Sequence, residues 1–426
     1  MKMSTCKFLL AGTFFMFLSN TCQGVNPTPP LPDSANGRIQ LPKGFGALVV
    51  IEKTGKARHL VVGDNGTIYV KLRRQEKGKG ILELRDTTGD GKIDVIVGHG
   101  SHIGTGIGLY KNYLYASSDS VVFRYPIVSQ QVDFEKEEII VKDLPNDPHH
   151  GSKSITFDEE GHLYVNIGAN SNACQKEDRV KGSKGMDPCP LLEYSGGVWQ
   201  FDAEKPNQQL KDGLRFATGI RNAVALDWDK ESKQLFALQH GRDQLSQLYP
   251  KLFNDTLSAE LPSEEFLLLK KGSDFGWPYC YNDHFQHKKV LAPEYGGDGK
   301  KTGKCSVKDT AIMTFPGHWA PNDLLFYHGN QFPAKYKNGA FIAFHGSWNR
   351  APLKQGGYFV AFVPFSNGKP SGPWEVFAEG FSGGQEIESP NDAKHRPMGL
   401  AEGPDGSLYI SDSVKGKIWR VFYTGK

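Results

Sequence analysis

One pattern recurs along this chain and restricts its fold more than any other feature. An apolar run, an acidic glycine turn and a second run holding Leu-Tyr or Ile-Tyr appear three times. They are His59–Val70 (HLVVGDNGTIYV), Ser154–Gly168 (SITFDEEGHLYVNIG) and Met398–Asp412 (MGLAEGPDGSLYISD). A looser fourth copy lies in Gly219–Asp243, where Ala223–Asp229 and Gln234–Gln239 flank a charged turn, and Tyr110–Pro126 and Tyr336–Asn349 belong to two more. Each reads as a β-hairpin. A lone hairpin cannot bury both faces, so such units must stack on one another. Six units at a spacing of roughly 60 residues exceed the usual 40–50 of such repeats, and the surplus falls in loops. The longest are 170–196 and 245–311. The expectation is an all-β chain: a six-bladed β-propeller with long loops on one face, over residues 41–426. The 49 Gly and 25 Pro suit many short strands, and no stretch keeps the apolar period of a bundle helix.

Hairpin geometry then concentrates chemistry. The start of the first strand and the end of the second share one edge. In Gly219–Asp243 this brings Arg221 and Asn222 to the rim that carries Gly241, Arg242 and Asp243. A cation, an amide, a glycine turn and a carboxylate at one rim suit an anionic, metal-assisted ligand. The inner strands of a propeller run in the same sense, so their starts converge on one mouth. Arg58, His149-His150, Arg221-Asn222 and Arg396 all lie just before or at such starts, and His345, Trp348, Asn349 and Arg350 (HGSWNR) join them from another unit. A single arginine there is an ordinary turn residue; recurrence in four units points to a polyanion at the mouth.

The N-terminus reads differently. Lys2 and Lys7 precede the apolar core Phe8–Leu18, and Ser19–Gly24 is small and polar, so residues 1–24 read as an export signal peptide. Residues 25–40 form a Pro-rich linker, and Cys22 is a candidate lipid-anchor site behind a poor lipobox, Ser19-Asn20-Thr21. The chain is thus expected outside the cytoplasm, periplasmic or extracellular. Four cysteines remain, Cys174, Cys189, Cys280 and Cys305, with three connectivities open. The local pairings Cys174–Cys189 and Cys280–Cys305 would each staple one long loop, which an oxidising compartment favours over a zinc site. A net charge of +3, with basic pairs interrupted by acids, speaks against a nucleic-acid partner.

Other motifs carry less. Asp86–Asp94 (DTTGDGKID) has the oxygen spacing of a calcium loop, but Val97 stands where an EF-hand places its glutamate, so an acidic turn fits as well. The G-T-G-I-G of residues 104–108 precedes a strand without a following helix, unlike a dinucleotide loop. No G-x-S-x-G, H-E-x-x-H or C-x-x-C-H occurs, which removes the usual marks of triad hydrolases, zinc proteases and covalent haem. Phe275–Asp283 (FGWPYCYND) and His318 are candidates for the pocket wall or for packing.

Taken together, GIRN (Gly219–Asn222), HGRDQL (His240–Leu245), the run from Ala259 to Asp283, HGSWNR (His345–Arg350) and RPMGL (Arg396–Leu400) resemble the quinoprotein glucose/sorbosone dehydrogenase family. GANSNAC (Gly168–Cys174) fits its sorbosone-type branch, and the resemblance covers roughly Arg58 to Arg420. It implies a six-bladed propeller that binds pyrroloquinoline quinone (PQQ) with calcium and oxidises a sugar by hydride transfer to the quinone. Electrons would pass to an external acceptor, a cytochrome or a quinone pool. His150 is then the general base, in H-x-x-K-x-I, a role suited to an imidazole. Arg221 would stabilise the charge developing on the quinone, and Asn222 a neighbouring carbonyl or carboxylate. The carbonyls of Gly241 and Arg242 match calcium ligands, whereas Asp243 has no matched role. Arg58, His345, Arg350 and Arg396 would neutralise the cofactor carboxylates. Two departures stand out. Soluble aldose dehydrogenases carry an acid where this chain has Ala169, leaving the group that orients His150 undefined, and a cofactor lysine is replaced near His345. The alternative reading is a catalytically inactive propeller that binds carbohydrate or protein at the same rim.

Overall fold

The computed structural model describes residues 30–425 apart from 147 and 385, so the expected signal peptide, Cys22 and the first part of the expected linker lie outside the described residues. Six sheets stand around one axis, antiparallel except for a short parallel pairing of Leu214–Thr218 with Ser273–Asp274 in one of them. Their inner strands are Ala57–Val62, Ile107–Tyr110, Ile155–Phe157, Ala225–Asp229, Pro321–Phe326 and Pro397–Glu402, each lying against its neighbours in a ring. We number the blades 1 to 6 in that order. The four exact or near copies of the hairpin supply the inner and second strands of blades 1, 3, 4 and 6. In blade 5 the second strand is Ala340–Phe344, paired with Pro321–Phe326.

Blade 6 closes the ring with a strand from the other end of the chain. Phe45–Ile51 pairs antiparallel with Ile418–Tyr423, setting Phe45 opposite Tyr423 and Ala47 opposite Val421. Sharing one sheet between the two ends closes the ring and ties the start of the chain to its end. Upstream residues dock on the same blade: Asp33 Oδ2 accepts from Val49 N at 2.8 Å, Asn36 Oδ1 from Ala47 N at 3.0 Å, and Gly37 O from Trp419 Nε1 at 3.2 Å.

Second strands such as Ala340–Phe344 and Gln234–Gln239 are buried almost throughout. A strand inside a blade is covered by the next blade on both faces, so its apolar residues run on instead of alternating. The clefts between blades are filled with aromatics; between blades 5 and 6, Phe45, Phe332, Tyr336, Phe341 and Phe377 pack at ring separations from 4.7 to 6.0 Å. The G-T-G-I-G stretch is such a close approach. A Cβ on Gly104 would sit 2.1 Å from Ser117 O, and one on Gly106 2.4 Å from Lys153 O. Asp86–Asp94 is a turn between Lys79–Arg85 and Val95–His99, its acids satisfied from within: Asp86 accepts from the amides of Gly89 and Gly91, Asp94 from that of Thr87.

The two long loops meet beside the mouth. Disulfides join Cys174 to Cys189 and Cys280 to Cys305. Across the loops, Tyr295 OH donates to Ala173 O at 3.0 Å, Gly185 N to Glu294 O at 3.1 Å, and Trp277 Nε1 to Asn172 O at 3.0 Å. Phe275–Asp283 does both jobs: Trp277 lies against the first disulfide, and Trp277, Cys280, Tyr281 and Asn282 wall a small cavity beside Arg221, His240 and Gly241. Among the described residues no helix is long and apolar enough to cross a membrane.

Candidate active site

The ends of the Gly219–Asp243 hairpin meet as its register requires. Arg221, 3 % exposed, donates from NH1 to Gly241 O at 2.9 Å and from NH2 to Asp243 Oδ2 at 2.7 Å. Its Nε is buried with no hydrogen-bond partner among the described residues. Asp243 is a hub. Arg179 from the first disulfide loop reaches the same carboxylate oxygen at 2.6 Å, and Asn349 Nδ2 donates to Oδ1. Asn172 closes a backbone clasp, its Oδ1 accepting from Asp243 N at 2.7 Å and its Nδ2 donating to Asp243 O at 3.0 Å. Burial alone would raise the Asp243 pKa, but Arg221 and Arg179 outweigh it and hold the carboxyl well below its usual range.

His150 faces this hub from blade 3. Its Nδ1 is hydrogen-bonded to the backbone carbonyl of Ala169. A carbonyl only accepts, so Nδ1 carries the proton and Nε2 keeps its lone pair. The acid absent at 169 is therefore replaced by a main-chain oxygen. Gly168 permits this approach, since a Cβ there would lie 2.6 Å from both His150 Cβ and Asn222 Oδ1. Burial, then the charge of Arg221, lowers the His150 pKa to about 3. Behind the ring, Lys153 Nζ donates to Gly151 O at 2.8 Å. The neighbouring His149 is exposed.

Across the mouth stand cations that no acid pairs. Arg58 donates to Thr105 Oγ1 at 3.1 Å and Ser152 Oγ at 3.3 Å; Arg396 donates from Nε to His345 O at 3.0 Å and from NH2 to Gly346 O. Neither guanidinium forms an ion pair among the described residues. Burial, then Arg73, lowers the Arg58 pKa to about 9. His345 Nε2 lies 2.7 Å from Ser413 Oγ, and burial followed by Arg396 and Arg58 pushes its pKa well down. His240, 2.8 Å from Pro321 O, is lowered to about 4, by burial first. Unpaired arginines and neutral imidazoles leave this side short of negative charge, which suits a polyanionic ligand.

Two chambers open between these groups. The inner one, about 150 Å³, is lined by His150, Arg221, Gly241, Asp243, Glu264 and His318. The outer one, about 460 Å³, holds His345, Arg396, Asn322, Ser389 and Asn391, and His240, Ala320, Ser347 and Trp348 line both. Glu264 Oε2 accepts from Gly241 N at 2.9 Å and Oε1 from Ala320 N at 3.0 Å, and burial raises its pKa to about 7. His318 is largely committed, its Nε2 lying 2.9 Å from Ser258 O and 3.1 Å from Leu261 O. Gly241, Asp243 and Glu264 all line the inner chamber and bring hard oxygens of the kind calcium prefers, each engaged in hydrogen bonds: Gly241 O with Arg221, Asp243 with Arg221, Arg179 and Asn349, and Glu264 with two amides.

Not every expected residue joins this constellation. Asn222 is buried at its edge, its Oδ1 accepting from Asn166 Nδ2 at 3.2 Å. The Arg242 side chain turns away to a buried pair with Glu294 at 2.5 Å, leaving only its backbone for a ligand. Arg350 stands apart. Each of its guanidinium nitrogens already donates: Nε to Lys354 O, NH1 to Ala259 O and Gly317 O, NH2 to Glu260 Oε1. Asp243 proves central where the rim had been expected to carry its carboxylate, while Asn172, Arg179 and Glu264 are central without having been singled out for roles. Asn172 lies inside GANSNAC and Glu264 inside the Ala259–Asp283 run, so the marked stretches held them; Arg179 had no local signal.

Three known proteins bear on this geometry. The chain is 25 % identical over 430 residues to an uncharacterised protein of Borreliella burgdorferi, covering 98 % of this chain and 97 % of that protein. It is 25 % identical over 277 residues to a pyrroloquinoline quinone-dependent pyranose dehydrogenase of Coprinopsis cinerea, 56 % of this chain but 36 % of that longer protein. The calcium structure of the Trichoderma reesei family AA12 carbohydrate-active enzyme superposes with a TM-score of 0.73 at 17 % identity, covering 91 % of this chain and 97 % of the other. With the family model matching residues 39–424, the chain belongs to the TrAA12-like family.

Proposed function

We propose that this propeller is an exported quinoprotein dehydrogenase that oxidises an aldose-type sugar with PQQ and calcium. The observation that carries the reading is the pair of mouth arginines, Arg58 and Arg396, held in place by hydroxyls and carbonyls yet forming no ion pair among the described residues. A tricarboxylate cofactor supplies that missing charge. Its relatives' printed names, a PQQ-dependent pyranose dehydrogenase and a calcium-bearing AA12 enzyme, support the same chemistry.

In this reading Arg58, His345 and Arg396 hold the cofactor carboxylates, and Arg221 and Asn222 face its quinone edge. Gly241 O holds calcium together with the Arg242 carbonyl. Bound PQQ would supply the acceptor for a hydride from the sugar carbon, its quinone polarised by calcium. His150 Nε2 takes the proton of the hydroxyl on that carbon, while the Ala169 carbonyl keeps the imidazole in the required tautomer. Arg350 steadies the loop that carries His345 through Glu260 and the Ala259 and Gly317 carbonyls. Electrons then leave to a separate acceptor.

Purified protein titrated with PQQ and calcium, then assayed by dye reduction with a panel of aldoses, tests the reading. Saturable PQQ uptake and sugar-dependent turnover are expected, with uptake lost in Arg221→Ala. His150→Ala should bind PQQ and lose at least about 100-fold in turnover. Absence of PQQ uptake would defeat the cofactor assignment, and full turnover in His150→Ala the base.

A further inference from the structure

We infer that the exposed indole of Trp348 is a stacking surface for the sugar ring, and so a specificity-determining residue of the reaction proposed above, on which this inference rests. Trp348 is 52 % exposed, and of the large apolar side chains exposed among the described residues it is the one that lines both chambers. The other tryptophans near the mouth are built into the protein. Trp277 is 5 % exposed and donates its indole proton to Asn172 O. Trp319 packs edge-on to Phe344, Phe359 and Trp374 at 5.2 to 5.5 Å. Trp348 meets no other ring among the described residues.

The exposure does not come from a loose loop. Upstream of the indole, His345 N donates to Ala320 O at 2.9 Å and Gly346 N to Trp319 O at 2.8 Å, while Arg396 grips the carbonyls of both residues. Downstream, Asn349 donates to Asp243 and Arg350 to Glu260. Residue 348 is thus held between fixed neighbours with its ring at the water boundary. What sets this indole apart from other exposed apolar side chains is its place: it lines both chambers of the mouth, where a ligand entering would cover it.

The ligand must be polar at its rim and apolar on its face. Ser347, Asn349, Ser389 and Asn391 line the chambers beside the indole and offer hydroxyls and amides. The π-face of an indole is electron-rich and attracts the positively polarised C–H bonds of a pyranose, whose hydroxyls point outward to such groups. A charged or purely apolar ligand would use only one half of this set. Trp348 also shares the inner chamber with His150, so a sugar resting on the indole lies within the space the base serves.

The test uses the full chain loaded with PQQ and calcium, comparing wild type, Trp348→Phe and Trp348→Ala. The stacking predicts a KM for aldoses raised about tenfold or more in Trp348→Ala, the fold-change of a lost contact of this kind, partly restored in Trp348→Phe, with kcat within about threefold. PQQ affinity, read by absorption titration, should stay unchanged in both variants. An unchanged KM would overturn the inference. So would a fall in PQQ affinity matching the rise in KM, because the indole would then be a cofactor wall. Wild-type protein without PQQ-dependent turnover would instead defeat the functional reading itself, which separates the two failures.

Discussion

Asp243 offers the sharpest test of how the mouth is held together. Its carboxylate faces Arg221, whose side chain is 4 % exposed, and Arg179, with Asp243 itself 13 % exposed. Asp243→Ala would leave the Arg221 charge buried with only the Gly241 carbonyl as partner. Breaking a buried pair from one side costs about 3–5 kcal/mol. Asp243→Asn keeps the shape and an acceptor but loses the charge, and one charge-assisted bond is worth about 1.5–3 kcal/mol. In a chain this long each kcal/mol moves Tm by only about 1.2 °C, so Asp243→Ala should fall by about 4–6 °C and Asp243→Asn by about half that. Calorimetry on the cofactor-free protein reads both. The control is Lys111→Ala, which breaks a pair whose partners are 50 % and 55 % exposed and should cost under about 1 kcal/mol. Added phosphate should recover part of the loss in Asp243→Asn by binding where the charge was removed. If Asp243→Ala unfolds within 1 °C of Lys111→Ala, the pairing does not hold the mouth and the reasoning fails.

Further outcomes follow from the same geometry. In cofactor-free protein His150, with its pKa lowered to about 3 by burial, should stay neutral down to about pH 4, and an NMR titration with a midpoint above 5.5 would refute that environment. Glu264, raised to about 7 by burial, favours the folded state fully only below the unfolded carboxyl pKa of about 4.5; that contribution is lost as pH rises through 7. Glu264→Gln should remove that slope in denaturant-derived stability between pH 5 and pH 8. Replacing Cys174 and Cys189 by serine opens a 15-residue loop, costs about 3 kcal/mol, and should weaken PQQ uptake by releasing Arg179. Deleting residues 1–51 removes the closing strand and should abolish cooperative unfolding, with hydrogen exchange fastest in Ile418–Tyr423.

The sequence by itself determined the architecture and brought out the residues that meet at the candidate site. Propeller blades must each bury their faces against the next, so the hairpin repeat is written into local sequence, and the register of Gly219–Asp243 follows from its turn alone. Arg221 and Gly241 meet as that register demands. The cysteine pairs were readable for a similar reason, each lying within one loop. Tertiary structure decided what local sequence does not encode. Arg350 sits in the right motif, yet the Glu260 carboxylate and two loop carbonyls capture its donors, two of them from about 90 residues away. Arg179 reaches Asp243 across 64 residues, and no local pattern marks such a pairing. A carboxylate that orients histidine is visible as a residue type, whereas the Ala169 carbonyl that takes its place belongs to the backbone every residue shares. Its use depends only on where the fold brings the chain, which is why the partner of His150 became legible only in three dimensions.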